Sequence, residues 1–532
     1  MSGCCVKGSP SRPYRPTPTR LRYLVWRMED VLLVGVDIGT SSTKGVLVDE
    51  SGQIIASHTV PHGVVRPDPA WAEQDADQVW WGDFAQIARA LMSQAPAGSE
   101  VAGIGVSGTC PTLVPVGRDG KPLHRGILYS IDRRALAEID EIVSGVGEHE
   151  IVERSGNVLS TQCIAPKLLW LKRHEPWVYA NTQWVLGTTG YVVWRLTGEA
   201  CWDHFCAGDG GYGYYLTDCS WDIDALSKMG IDPSILPPLK WATEVVGAVT
   251  REAACETGLP EGTPVIAGTG DAAAEMVGTG VIDEGSLALL YGSTLATMSP
   301  VSRVWLHPGF ILTPGLVPGS YLVSSVLGTG SALVEWIRGT LAWDGSMPDH
   351  AVLEGQAAGV PAGSGGLVFI PYLTGQRSPE VRPDMSGALL GLNQGHSLGH
   401  VYRASLEGVA FALRSCLVEL SSAGLLGEHE MLSAGGGSQS ELWTQIVTDV
   451  CRRPQRIASG SVRAPIGSAF LAGRGVGVVD ACDLREKWVG FRGAVSVCES
   501  RADEYDHHYE RFMRYVSLLA GDAGASAQQF GQ

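Results

Sequence analysis

The 532-residue sequence predicts an α/β chain of two duplicated domains with a cleft between them, and three observations carry that prediction. Residues 31–57 read as an apolar, β-branched strand, a turn of glycine and hydroxyls, and two further strands. The same strand, Gly-Ser-Thr turn and strand return at 285–298, followed by another strand at 321–326. Each half then continues with stretches of helical period and further strands, and a repeat this widely spaced implies duplicated domains rather than a solenoid.

Composition sets the class. With 45% hydrophobic and 18% charged residues the chain is globular and long enough for about two or three large cores. No apolar run approaches the ~18 residues a membrane span needs, and a net charge of −17 argues against a general nucleic-acid surface. The 12 cysteines show no CxxC pair and no metal spacing, which reads as reduced thiols in a cytoplasmic protein. Glycine, 68 of 532 residues or about 13%, implies many tight turns and close backbone approaches. Residues 1–28 stand apart: six basic residues, four prolines and no acid, without the apolar core of a secretory signal. The prolines would break an amphipathic transit helix, so this leader is expected to be a disordered extension or an unused upstream start.

In chain order, the first turn combines Gly39 with the hydroxyls of Thr40, Ser41, Ser42 and Thr43, donors that a tight bend can aim at a polyphosphate. Asp37, at the end of the preceding strand, can hold a bridging Mg²⁺ through water. Taken alone, such a turn is more often an ordinary hairpin. Residues 76–93 carry Val79, Trp80, Phe84, Ile87, Ala88 and Leu91 at helical spacing, with Asp75 or Asp77 as cap. A buried strand at 101–106 ends in Ser107-Gly-Thr-Cys-Pro111, and such strand ends host ligands in α/β sheets. Asp132-Arg133-Arg134 follows another strand and either holds polar substrate groups or caps a helix. Residues 164–174 form a helix with Pro166 in its first turn, basic residues in its last, and Leu168, Leu169, Trp170 and Leu171 in the core. The Gly- and Tyr-rich stretch 202–215 reads as irregular β structure near a cleft. A strand into Gly268-Thr-Gly270 then leads to Asp271 and an alanine-rich helix. Asp271 is placed as an N-cap, yet the glycines before it let a substrate reach its carboxylate, which could accept a hydroxyl proton. Two hydroxyl-bearing turns, at 39–43 and 292–294, could grip phosphates from both sides. At 431–443 a strand, three glycines and a helix start clear space for a flat ring or a backbone.

Taken together, Asp37-Ile-Gly-Thr-Ser41, Trp71-Ala-Glu-Gln-Asp75, Ala165-Pro-Lys-Leu-Leu-Trp170, Gly268-Thr-Gly-Asp271, Gly292-Ser-Thr294 and Ala434-Gly-Gly-Gly-Ser438 occur in the order found in the FGGY carbohydrate kinases. Most resemble the xylulokinase form. Gly387-Ala-Leu-Leu-Gly-Leu392 and His400-Val-Tyr-Arg-Ala-Ser-Leu-Glu407 fit the family's C-terminal signature, and the resemblance spans about residues 31–474. It implies two ribonuclease-H-like, actin-type domains: a sugar-binding one over 29–278 and an ATP-binding one over 279–500, with a tail at 501–532. It implies Asp271 as general base, Asp37 as the Mg²⁺ ligand, and Gly39, Thr40, Ser41, Gly292, Ser293, Thr294 and Gly330 at the ATP phosphates. Gly436, Gly437 and Ser438 would line the adenosine pocket, while Thr109, Cys110 and Asp132 join Asp271 at the sugar. The expected partners are a sugar and ATP, without nucleic acid or membrane, and the reading admits a homodimer.

Three departures bear on substrate. Cys110-Pro111 replaces the Met-His pair that xylulokinases share, Tyr129-Ser-Ile-Asp-Arg133 replaces Trp-Asn-Asp-Gly-Arg, and Gly375-Gln-Arg377 replaces Gly-Glu-Arg. D-Xylulose is the leading expectation, with another ketopentose, a tetritol or a polyol as alternatives, and a nonenzymatic sugar or nucleotide sensor as the contrasting class.

Overall fold

A computed structural model describes residues 31–340 and 347–529; the leader lies outside them. Two seven-stranded mixed sheets repeat one plan. In the first, Val31–Ile38, Ser42–Asp49 and Ile54–Pro61 form an antiparallel meander, Glu100–Gly108 runs parallel to the first of these, and Pro264–Ile266 runs parallel beyond it. In the second, Leu287–Tyr291, Leu295–Val301 and Tyr321–Leu327 form the meander, with Met431–Gly435 and Gln455–Ala458 as the two parallel strands. The duplication expected from the sequence is thus a repeat of strand order and direction.

Local chemistry explains the elements. Val31–Ile38 is buried almost without interruption, as a strand covered on both faces must be. Asp75 accepts the N–H groups of Asp77 and Gln78 and so starts the helical stretch that continues into Gly82–Met92. Phe84, Ile87, Ala88 and Leu91 of that helix are buried, and Gly45 on the sheet leaves room for Ile87, whose methyl would lie 2.3 Å from an added Cβ. The stretch expected to be irregular β differs: between the two-residue strands Trp202–Asp203 and Tyr214–Tyr215 it forms the helix His204–Asp209. Asp203 caps that helix by accepting the Cys206 N–H at 3.0 Å.

Two segments pack across the domain limits drawn from the sequence or beyond them. The helix Arg463–Gly475, inside the stretch assigned to the second domain, lies on the first sheet, and its Ala469, Phe470, Leu471 and Ala472 belong to the first core. The approach is so close that a Cβ on Gly35 would stand 1.9 Å from the Pro465 carbonyl oxygen, and one on Gly467 2.0 Å from that of Ala274. Trp488 continues the crossing by donating its indole N–H to the Glu50 carbonyl at 3.1 Å. The supposed tail is mostly the helix Glu499–Gln529, and its Tyr505 and Phe512 are fully buried in the second core.

All ten described cysteines are free. Among the described residues no helix is long and apolar enough to cross a membrane.

Candidate active site

Three parallel strand ends build the first half of the site. Asp37 stands in register with Ser107, and Ser107 with Thr269, so their strands all deliver their carboxyl ends to one edge. The Ser107 hydroxyl donates to Asp37 Oδ1 at 2.7 Å. Gly270 takes the cap position of the helix Asp271–Gly278, and Asp271 is its first residue rather than its cap, accepting the Ala272 N–H at 2.8 Å. The glycines before it allow close packing. A Cβ on Gly270 would press on Phe205 at 2.8 Å and on Cys110 at 2.9 Å, and Gly268 combines φ +72° with a 2.1 Å approach to the Val106 carbonyl.

The electrostatics of this edge are those of crowded acids. Burial, and then the neighbouring charges of Asp37, Glu275 and Asp209, hold the Asp271 carboxyl well above the usual carboxylate range. Burial pushes Asp37 up to about 6; Glu275 adds to this, while Ser107 and Lys44 pull the other way. Glu275, one helical turn beyond Asp271, is tied to Arg463 at 3.3 Å.

The first turn is braced from behind. Gly39 N–H donates to the Ser42 carbonyl at 3.0 Å, Gln74 holds the Thr40 carbonyl at 3.0 Å, and His62 bridges the Gly39 carbonyl, at 2.9 Å, to Asp83, at 2.7 Å. The Thr40 hydroxyl lies 3.1 Å from Tyr129 Oη, and Ser41 is exposed. In the second turn Gly292 and Ser293 are exposed, and their carbonyls accept N–H groups from Ser331 and Gly330. Gly330 acts as a support, since a Cβ there would meet the Thr294 backbone at 2.6 Å. Of the glycines after Met431–Gly435, Gly436 faces open space, whereas Gly437 fits against Trp443. The Ser438 hydroxyl is spent on the Gly435 carbonyl at 2.7 Å.

One expected sugar contact is corrected. Asp132 has a fully buried side chain that accepts the Ala72 N–H at 2.7 Å and pairs with Arg134 at 2.8 Å. Arg134 also pairs with Glu73 at 2.7 Å and lies between the rings of Trp71 and Trp170, so Asp132 is committed to a buried ion-pair network. Cys110, by contrast, lies beside Gly270 at the strand ends and approaches Asp209 Oδ2 at 3.9 Å, while Thr109 before it is buried.

Asp37 suits a magnesium ion. Among the described residues no three His, Cys, Asp or Glu side chains form a metal cage, and Mg²⁺ bound with a nucleotide needs only one or two carboxylates, the remaining ligands being phosphate oxygens and water. Ser107 occupies one Asp37 oxygen and leaves the other for such a ligand.

The N-terminal domain model of the FGGY family of carbohydrate kinases matches residues 32–278, and its C-terminal domain model matches 287–476. The chain belongs to the FGGY family. This FGGY chain resembles the crystal structure of xylulose kinase from Rhodospirillum rubrum with a TM-score of 0.86 and 30% identity, over 93% of this chain and 100% of that one. It is 28% identical to the xylulose kinase of Bacillus subtilis (strain 168) over 84% of this chain and 88% of the relative. It is also 26% identical to the gluconokinase of the same organism, over 92% and 96%. The FGGY chain is an ATP-dependent sugar kinase.

Sequence reasoning passed over several residues of this FGGY site. Glu275 was detectable as an acid four positions after Asp271, on the same helical face. Asp209 stood as an acid within a glycine-rich stretch already placed near the cleft. His62 and Asp83 left no local signal, because they reach the first turn only through tertiary contacts, and Gln74 stood inside the Trp71–Asp75 motif without a role of its own.

Proposed function

We propose that this FGGY kinase transfers the terminal phosphoryl group of Mg-ATP to a hydroxyl of a ketopentose such as D-xylulose, with Asp271 as the general base. The observation that carries this reading is the Asp271 carboxylate itself. It is partly exposed at the strand-end edge, is bonded by one backbone N–H, and forms no ion pair among the described residues. Its raised pKa makes it, once ionised, a stronger proton acceptor than a free carboxylate. Phosphoryl transfer asks mainly for positioning and charge neutralisation. Exposed Ser41, Gly292 and Ser293 present hydroxyl and backbone donors for phosphate oxygens, and Gly436 offers the open surface for the adenosine. Mg²⁺ at Asp37 would neutralise phosphate charge. Closure of the domains on the sugar would exclude water and limit ATP hydrolysis.

The xylulose kinases among the similar proteins support a ketopentose acceptor. The same reading makes the protein cytoplasmic, with small molecules as its partners, and it admits a homodimer. The test is an ATP-coupled screen over ketopentoses, aldopentoses, polyols and D-gluconate, with products identified by mass. D-Xylulose or a near ketopentose is expected to give the highest kcat/KM. Binding of sugar or nucleotide with no phosphorylated product from any acceptor would favour a sensor instead.

A further inference from the structure

The carbonyl groups of Gly39, Thr40 and Ser41 in the first turn are each tied to a donor. The strand Ile54–Pro61 runs back along Ser42–Asp49, so the next residue, His62, arrives level with Ser41, and its backbone N–H donates to the Ser41 carbonyl at 3.0 Å. Its ring Nε2 lies 2.9 Å from the Gly39 carbonyl oxygen, and Gln74 holds the Thr40 carbonyl at 3.0 Å. In a planar trans peptide the C=O and N–H groups point in opposite directions. Tying the Gly39 and Thr40 carbonyls therefore turns the N–H groups of Thr40 and Ser41 the other way, and neither N–H has a protein acceptor among the described residues. Unspent backbone donors beside the exposed Ser41 are an arrangement that an anion completes.

The ring that holds Gly39 is itself held. Asp83 stands in the first turn of the helix Gly82–Met92, where a carboxylate is favoured. Its Oδ2 lies 2.7 Å from His62 Nδ1, and the buried Thr43 hydroxyl donates to the same oxygen at 3.1 Å. The His62 side chain is only 5% exposed and that of Asp83 12%, so the contact is shielded from competing water. An ionised carboxylate and a carbonyl both only accept, and His62 serves the two together by carrying a proton on each ring nitrogen. Nδ1–H donates to Asp83 and fixes the ring, and Nε2–H then meets the Gly39 carbonyl.

We infer that His62, fixed by Asp83, is a positioning residue for the nucleotide phosphates: by holding the Gly39 carbonyl it keeps the Thr40 N–H aimed at them. The inference rests on the reading of the turn at 39–41 as a phosphate site. Without the Nε2 donor the Gly39–Thr40 peptide is free to rotate, and its carbonyl oxygen, the negative end of the peptide, can face the phosphates in place of the N–H. The loss falls on ligands that carry phosphates and spares those that do not.

The experiment uses the full chain and its His62→Asn and His62→Gln variants. The Asn amide reaches as far as Nδ1, so it keeps a partner for Asp83 and loses the donor to Gly39. The Gln amide reaches as far as Nε2 and keeps that donor. Calorimetry measures the binding of Mg-AMPPNP, a non-hydrolysable ATP analogue, and of adenosine, which carries no phosphate, and steady-state kinetics with ATP and D-xylulose is measured beside it. His62→Asn should weaken Mg-AMPPNP about tenfold, the order of one hydrogen bond, and leave adenosine within about twofold. It should raise KM for ATP about tenfold with kcat within about twofold. His62→Gln should stay within about threefold of the unmodified chain in each measurement. An Asn variant that binds Mg-AMPPNP as tightly as the unmodified chain, one that loses the analogue and adenosine alike, or a Gln variant as weak as the Asn variant overturns the inference alone. Equal affinity of the unmodified chain for Mg-AMPPNP and adenosine would remove the phosphate reading of the turn and the inference with it, so the two failures are distinguishable.

Discussion

At Asp271 a carboxylate occupies the first turn of a helix within electrostatic reach of Asp37, Glu275 and Asp209, and its pKa stands above the unfolded value near 3.8. Between that value and the raised one the native state holds a proton that the unfolded chain has released. This group's share of stability is therefore complete below about pH 4 and is lost as pH rises through the folded pKa. Asn carries no such penalty. Asp271→Asn should lower kcat by about 10³-fold while leaving the ATP Kd within about threefold. It should also raise the apoprotein Tm at pH 8 by about 2–4 °C, with the difference gone at pH 4. A lower Tm at pH 8, measured by calorimetry, would show that the acids are not in conflict in the native state. Asp132 marks the limit of reading residues one at a time. Its place after a strand pointed to substrate, but the Ala72 N–H, from another segment, and Arg134, which Glu73 in turn holds, turn it inward.

Among elements, the glycine run after Met431–Gly435 divides by what faces each residue. Gly436 looks into open space, while a Cβ on Gly437 would stand 2.6 Å from the Trp443 ring. Gly436→Ala is expected to leave the urea midpoint unchanged and to raise KM for ATP about tenfold. Gly437→Ala should instead destabilise the chain by about 1–3 kcal/mol through overpacking. If both variants lowered the midpoint equally, Gly436 would be a packing residue and the adenosine assignment would lose its support. The strand, turn and strand units at both sheets were legible because short apolar, β-branched runs and turn chemistry are local. The helix His204–Asp209 was not, since it is one short segment that runs into glycines at 208, 210, 211 and 213.

For the whole molecule, the chain ends serve regions far from them in sequence. Arg463–Gly475 closes the first domain, and the helix from Glu499 closes the second. A chain ending at residue 498 would lose the buried Tyr505 and Phe512, and with Tyr505 the hydroxyl that bonds Arg403 and Glu407. Removing one buried aromatic side chain costs about 3–5 kcal/mol. The truncated chain should therefore be insoluble or lose cooperative unfolding of the second domain, as read by calorimetry and size exclusion. A soluble, active truncation would return this segment to the status of a tail.

The sequence by itself determined that the chain is a duplicated α/β kinase with Asp37 and Asp271 at strand ends, because strand periodicity, turn residues and the order of short motifs are properties of contiguous residues. Only the tertiary structure decided which acids face one another, which are locked in ion pairs, and which domain each C-terminal helix completes. Those outcomes depend on contacts between segments tens to hundreds of residues apart, where charge and burial act through space and leave no periodic trace along the chain.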